Sequence, residues 1–481
     1  MELDQATITS LVMRVMDEIR RREEKGIPGI GGAFAEVDDA VAAAARAYEQ
    51  LCTLSREKRS ELIESMRQAI LENAALLAEM AVKESGMGRV ADKIAKHRLV
   101  ARKTPGVEDL RTEAYSGDHG LTTLEMAPWG VIGAITPVTN PVATIMCNAI
   151  GMIAAGNSVV FAPHPRAVLT SIRTVEILNK AIVEAGGPSN LLTVLSQASP
   201  EKAQVLMKHP GVNLLSVTGG PGVVSMAMHS GKRVIGAGPG NPPAVVDETA
   251  DIDKAGRDLV AGAGFDNNLP CIAEKTIVVV DQVADRLMAA MERNGARRLK
   301  PDEADAVTRL VVKRKDGKDP LCCADRHEVL SECAVDKKYV GLNAERILKD
   351  AGVPVSGDPR IAFMEVEREH PLVWLEQLLP VIPVVRVSDA DEAIRFGVEV
   401  ERGNHHTAIM WSHDVERMTR LAKLVKTSIF VKNGPCYAGI GLGGEGWASF
   451  TISTPTGEGV TSARTFTRLR RCVLVDAFSI V

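Results

Sequence analysis

A chain of 481 residues is too long for one compact core, so two or three domains of about 100–200 residues are expected. Its 45% hydrophobic content, with 41 Gly and 24 Pro in no repeating pattern, excludes collagen-like and disordered classes, and a net charge of -4 without a basic tract sets nucleic acid aside. The eight cysteines lie mostly far apart and form no CxxC or CxxH pair, which fits a reduced intracellular protein without structural zinc. The first residues carry two acids and no basic n-region, and the most apolar stretch, 134–163, is broken by Thr136, Pro137, Asn140, Pro141, Asn148 and Asn157. Neither a signal peptide nor a membrane span is expected.

In residues 1–24, Ile8, Leu11, Val12, Val15, Met16 and Ile19 fall at helical spacing opposite a mostly charged face, which predicts an amphipathic helix, followed by a Gly/Pro-rich joint at 25–32. The helix needs a partner for its apolar stripe, either its own domain or a neighbouring subunit. Helices are expected from 37 to 102, with Gly86 and Gly88 as breaks. Beyond Gly130, β-branched runs at 131–136, 158–161, 191–195, 213–217 and 233–235 alternate with helical segments. That alternation predicts a parallel α/β sheet with ligands at the carboxyl ends of its strands. A second α/β pattern follows, with a helix at 252–262, a strand at 275–280 and a helix from Ala284, and it runs to about 447 with a charged insert at 313–319. The last stretch, 448–481, reads as extended segments that complete another subunit's sheet or cross a domain boundary.

Thr218, Gly219, Gly220, Pro221 and Gly222 follow one expected strand and open a helix, which puts free N–H groups and a positive helix end beside the strand terminus. Such a loop holds phosphate; the alternative is a tight turn. A second glycine cluster, 236–240 with Gly238 at its centre, brings backbone close to the cleft. Gly441, Gly443 and Gly446 match GxGxxG but lie outside any strand-turn-helix unit and are discounted. Among the cysteines, Cys271 alone stands in a polar, loop-like setting. A thiol is intrinsically very nucleophilic once ionised, whereas an isolated cysteine is more often an inert small hydrophobe, so context decides.

That context is a set of motifs: Ile-Thr-Pro-Val-Thr-Asn-Pro at 135–141, Val-Thr-Gly-Gly-Pro-Gly at 217–222, Cys271 after Asn-Asn-Leu-Pro, Glu376 in Leu-Glu-Gln-Leu-Leu-Pro, and Val-Lys-Asn-Gly at 431–434. Their order and spacing resemble the aldehyde dehydrogenase superfamily over nearly the whole chain. Segments 236–243, 265–275 and 455–466 are similar to the coenzyme-A-acylating propionaldehyde and acetaldehyde dehydrogenases of bacterial microcompartments. The resemblance implies an α/β, aldehyde dehydrogenase-like fold. A Rossmann-type parallel-sheet cofactor domain would take 33–112 and 129–246, an α/β catalytic domain 247–447, and oligomerisation arms 113–128 and 448–481. It further implies that Cys271 attacks the aldehyde, that hydride passes to NAD, with NADP left open, and that coenzyme A removes the acyl group. The oxyanion would be held by the Cys271 N–H and a side chain, Asn140 or Thr139. Thr136, Pro137, Pro163, Thr218, Gly219, Gly220, Gly222 and Gly238 would line the cofactor site, and Glu376 would hold the nicotinamide ribose.

The departures from the family point to the acceptor. Hydrolytic members carry a glutamate base where this chain has Ala237, and a thiol needs less help than water in attacking a thioester. Glu274 suits a structural bond better than a substitute base. The relatives' Lys-Pro-x-Glu is replaced at 162–166 by Ala-Pro-His-Pro-Arg, so His164 and Arg166 either meet coenzyme A phosphates or form a surface loop. His406 either assists the incoming thiol or makes a structural hydrogen bond. The N-terminal helix resembles an encapsulation peptide that docks on a shell protein, placing a homo-oligomer, dimer or tetramer, in a microcompartment of the bacterial cytoplasm. The rival function is a hydrolytic aldehyde dehydrogenase that releases the free acid.

Overall fold

The β-branched runs after Gly130 become the strands Val131–Ile135, Ser158–Ala162, Leu192–Leu195, Leu214–Thr218 and Arg233–Ala237 in the computed structural model, which describes residues 30–480 and Met13. The amphipathic helix expected at 1–24 lies, Met13 apart, outside the described residues. The five strands form one parallel sheet in which Val131–Ile135 pairs with Ser158–Ala162 on one side and Leu214–Thr218 on the other. Leu192–Leu195 and then the short strand Ala33–Phe34 extend the first side, and Arg233–Ala237 extends the second. The chain therefore reverses direction between Val131–Ile135 and Leu214–Thr218, and the loops leaving these two strands flank the crevice where a doubly wound sheet takes its ligand.

Side chains alternate across this sheet. Ile132, Ala134, Val159, Phe161, Leu192 and Val194 pack with helices Arg56–Ser85, Pro141–Ala154 and Val168–Glu184. Val131, Ile135, Val160, Ala162, Leu215 and Val217 pack on the other face with Val37–Leu51, Pro200–Lys208 and Pro221–Met228. Helix Pro141–Ala154 is buried at every position, as a helix apolar but for Thr144 and Asn148 must be, and it opens on a proline where the missing N–H is harmless.

The chain divides into two compact units: one runs up to Ser85, over Ile94–Ala237 and from Trp447 onward, and the other takes Gly86–Lys93 and Gly238–Gly446. Residues 238–246, expected in the first domain, thus belong to the second unit, because strand Pro243–Val246 hydrogen-bonds between Thr276–Val280 and Thr407–Trp411. The second unit is a seven-stranded parallel sheet in the order Ala296–Arg298, Ile361–Glu365, Val381–Val387, Thr276–Val280, Pro243–Val246, Thr407–Trp411 and Ile429–Lys432. The charged insert begins in a small antiparallel pair, Val312–Arg314 with Cys333–Val335, beyond which Lys315, Asp316 and Lys318 are exposed.

In the first unit, Glu113–Gly117, Gly120–Pro128 and Thr467–Val475 form a separate antiparallel sheet. The C-terminal strand therefore pairs with its own chain rather than only with another subunit, and Leu469, Val473, Leu474 and Val475 along it remain exposed. Among the described residues no helix is long and apolar enough to cross a membrane, and no group of side chains is arranged to hold a metal ion.

Candidate active site

In the first unit the expected cofactor residues lie on the two loops that flank the sheet's reversal point and on the turn after the neighbouring strand Ser158–Ala162. Thr136 directly follows Ile135, and its buried hydroxyl has no hydrogen-bond partner. On the facing loop, Gly220 precedes helix Pro221–Met228, and a Cβ at Gly220 or Gly222 would meet nothing within 4 Å. Gly219 donates its N–H to Ala237 O at 3.3 Å, and the Thr218 hydroxyl lies 3.4 Å from that of Thr451. A buried hydroxyl in need of a partner, opposite a glycine loop with open space at a helix start, fits a dinucleotide. Pro137 is half-buried and Pro163 buried beside them. The turn after Pro163 is partly committed: His164 Nδ1 accepts the Arg166 N–H at 3.1 Å, while the exposed Arg166 donates its guanidinium to Ser85 O.

Asn140 precedes helix Pro141–Ala154, and its Oδ1 accepts from the buried Lys96 ammonium. With the oxygen so held, the amide N–H group is the end left to donate. Thr139 is half-buried next to it. Lys96 was absent from the sequence reading.

In the second unit four adjacent strands are each entered from a loop that carries one of the expected site residues. Gly240 lies three residues before Pro243–Val246, Cys271 five before Thr276–Val280, Glu376 five before Val381–Val387, and His406 directly before Thr407–Trp411. These are amino ends, whereas the loops of the first unit described above leave the carboxyl ends of its strands. Gly240 is the point of closest approach. Its N–H donates to Glu376 Oε1 at 3.1 Å, and a Cβ on it would lie 2.8 Å from the Cys271 carbonyl oxygen and 2.9 Å from His406 Cγ. Gly238 is half-buried in the same loop.

Cys271 is presented by an unusual turn in which Asp266, Asn267 and Asn268 have φ of 48°, 56° and 65°. Asn and Asp visit this left-handed region more readily than other side chains, and buried bonds fix them there. Asn267 Nδ2 donates to Gly341 O (2.9 Å) and Asn343 Oδ1 (2.7 Å), and Asn268 Nδ2 donates to Ala263 O (2.9 Å) and Glu274 O (3.0 Å). The buried Lys93 pairs with Asp266 at 3.0 Å. The run of three Asx residues after a glycine was the sequence signal for this turn.

Cys271 is half-buried, and burial pushes its thiol up to about 12. The Glu376 carboxylate adds to the rise, while Lys275 and the N–H groups of Cys271 and Ile272 oppose it. The thiol is therefore protonated at neutral pH, and its ionisation depends on positive charge brought to the sulfur. Glu376 is itself raised by burial and held down by Lys275. Glu274 is a strut, as expected: one oxygen accepts the Cys436 N–H at 2.8 Å, the other has no partner, and burial raises it to about 7. Burial, reinforced by Lys275, lowers His406 to about 3, so its ring stays neutral. Its Nδ1 lies 2.9 Å from Thr407 Oγ1, and its Nε2 has no partner. A cavity of about 930 Å³ in this unit contains none of these residues, and its Arg297, Arg298, Arg368 and Arg386 are already paired with carboxylates.

The chain is 51% identical over 451 residues, 94% of each protein, to the acetaldehyde dehydrogenase (acetylating) EutE of Salmonella typhimurium. Its structure is similar to Rhodopseudomonas palustris propionaldehyde dehydrogenase solved with bound CoA and an acylated cysteine, with a TM-score of 0.88 and 47% identity over 94% of this chain and all of that one. It is also similar to the propionaldehyde dehydrogenase of the Clostridium phytofermentans fucose utilisation bacterial microcompartment, with a TM-score of 0.88 and 45% identity over 94% of this chain and all of that one. The pattern of conserved positions that defines the aldehyde dehydrogenase family matches residues 30–449, a span that takes in both parallel sheets and every loop described above, and the chain belongs to that family.

Proposed function

We infer that the protein is a coenzyme-A-acylating aldehyde dehydrogenase that converts a short-chain aldehyde such as propanal or acetaldehyde, coenzyme A and NAD to acyl-coenzyme A, NADH and a proton. The observation that carries this reading is the likeness over 94% of the chain to an acetylating acetaldehyde dehydrogenase and to a structure that holds CoA beside an acylated cysteine; strand Arg233–Ala237 accordingly ends in Gly236 and Ala237, neither of which can act as a general base. Without such a base water is a poor acceptor of the acyl group, and a thiol is a good one.

The Cys271 sulfur bonds to the aldehyde carbon as the carbonyl pair moves to oxygen. The Cys271 N–H donates to that oxyanion, the Asn140 amide, its oxygen bonded to Lys96, is supported as the second donor, and each such donor is worth about 3–4 kcal/mol of barrier. A dinucleotide on Thr136, Pro137, Pro163, the 218–222 loop and Gly238 supplies the hydride acceptor, and Glu376 orients its ribose. Cys271 keeps the acyl group as a thioester until the coenzyme A sulfur takes it, and then leaves as thiolate. The neutral, unpartnered Nε2 of His406 supports a role as hydrogen-bond acceptor for the entering thiol. Arg166, exposed on its turn, suits a coenzyme A phosphate. Residence in a bacterial microcompartment, with residues 1–24 docked on a shell protein, is supported by the apolar stripe in that segment and by the microcompartment relative. Oligomerisation through the Thr467–Val475 arm is supported by its exposed apolar side chains.

The test is NADH formation from propanal with and without coenzyme A. Without it, NADH should stop near one equivalent per Cys271 and an acyl-enzyme should accumulate. Sustained turnover without coenzyme A, with release of the acid, refutes the reading. Running NADP alongside NAD fixes the dinucleotide.

A further inference from the structure

We propose that Lys275 is the positioning residue of the nucleophile: its buried ammonium clamps the carbonyls of Asn268 and Pro270, which present Cys271, and supplies positive charge that favours the Cys271 thiolate whenever it forms. This rests on the reading of Cys271 as the nucleophile and names the group that makes it one.

Lys275 is fully buried, with Nζ 2.8 Å from Asn268 O, 3.5 Å from Pro270 O and in contact with Asn268 Oδ1. All three acceptors are neutral oxygens. The comparison with Lys93 is direct, since that ammonium is as deeply buried but meets the Asp266 carboxylate at 3.0 Å. A buried cation whose hydrogen-bond acceptors are all neutral is costly, and burial pulls Lys275 down to about 8, opposed first by the Glu376 carboxylate and then by Cys271. An anchor for two carbonyls needs no charge, because an amide side chain would serve. The charge is explained if an anion is formed nearby.

The groups that interact with this ammonium are Glu376, Cys271, Cys436 and Glu274, together with the neutral ring of His406. Glu376 accepts the Gly240 N–H, and Glu274 accepts the Cys436 N–H. Cys271 is the member whose charge changes in each turnover. It loses its proton to solvent before attack, becomes neutral as the thioester, and must depart as thiolate when coenzyme A takes the acyl group. One fixed cation favours both the first and the last of these states.

The test is the rate of Cys271 carbamidomethylation by iodoacetamide at a fixed pH near neutrality, with the modified residue identified by mass spectrometry, in the wild type and in Lys275→Met, Lys275→Gln and Lys275→Arg. The glutamine keeps a donor for the carbonyls without the charge, and the arginine keeps the charge. The rate should fall by about 10- to 100-fold in the methionine and glutamine variants and stay near wild type in the arginine variant. An unchanged rate in either neutral variant overturns the proposal. If neither neutral variant folds, the arginine variant decides: a wild-type rate supports the role and a reduced one overturns it. The reading of Cys271 as nucleophile is checked separately by whether its carbamidomethylation abolishes NADH formation in the wild type.

Discussion

Gly240→Ala isolates the geometry of the nucleophile from its chemistry. Gly240 does not need a positive φ, and an alanine keeps the N–H that Glu376 accepts, so the substitution adds one methyl group and nothing else. That methyl would sit 2.8 Å from the Cys271 carbonyl oxygen and 2.9 Å from His406 Cγ, against about 3.4 Å for ordinary contact, so something must move by roughly 0.6 Å. Neither neighbour yields easily: His406 is fully buried and bonded to Thr407, and the Cys271 loop is fixed by the Asn267 and Asn268 amides. A misplacement of about 1 Å at a reacting group costs on the order of a hundredfold in rate, so about tenfold in kcat is expected here, with an overpacking cost of about 1–3 kcal/mol in stability. The assay is steady-state NADH formation with propanal, resolving kcat from the KM values of NAD and coenzyme A, beside a thermal melt. If residue 240 retreats instead, its bond to Glu376 stretches and KM for NAD rises. Values of kcat and KM within twofold of wild type would refute the claim that Gly240 sets the position of the sulfur.

Asn140→Ala should lower kcat by about two to three orders of magnitude through loss of an oxyanion donor, whereas Thr139→Ala should change it little; the reverse ranking would reassign the role. Lys96→Met should lower kcat in the same direction as Asn140→Ala but by less, and combining the two should add little to Asn140→Ala alone, as shared action requires. For Glu274, burial raises the folded value to about 7, above the ordinary glutamate value. The folded state therefore holds this proton more tightly, and the associated stability is present at low pH and lost as pH rises through about 7, amounting to about 3 kcal/mol. Glu274→Gln should flatten that fall between about pH 4.5 and 7 when melting temperature is followed against pH, and a variant that falls as steeply as wild type contradicts the assignment. Removal of residues 1–24 should leave turnover intact and abolish co-sedimentation with shell protein, while an inactive truncation would show that the segment packs on its own enzyme.

The first sheet was legible because each strand is a short β-branched run between helical segments, so its five longer strands coincide with the sequence reading. Strand Pro243–Val246 was not, since it is four residues long and preceded by a proline, and tertiary pairing rather than local preference makes it a strand. Cys271, Glu376 and the 218–222 loop were found through motif order. Lys96 and Lys275 were not, for one physical reason: lysine in sequence reads as a solvated charge, and only enclosure by distant segments turns it into a buried donor. Nothing local links Lys96 to Asn140, 44 residues away.

The same enclosure explains why the second unit needs a lysine at all. At the carboxyl ends of parallel strands, helix N-termini bring positive dipole ends and free N–H groups, and the loops proposed for the dinucleotide in the first unit lie at that end. The nucleophile lies at the amino ends of its strands, where helices finish rather than start. Helix Ile252–Ala263 ends eight residues before Cys271, Pro371–Trp374 two before Glu376, and Ala390–Glu401 five before His406. Burial and the Glu376 carboxylate raise the thiol, and the carbonyl ends of helices offer no positive dipole to oppose them. A thiolate there has to be favoured by a full charge, because the backbone at that end of the sheet offers only the N–H groups of Cys271 and Ile272. The side chain that supplies it must also be protected from water, since an exposed ammonium four residues away would be screened to little effect. Lys275, inside the turn it holds, meets both conditions.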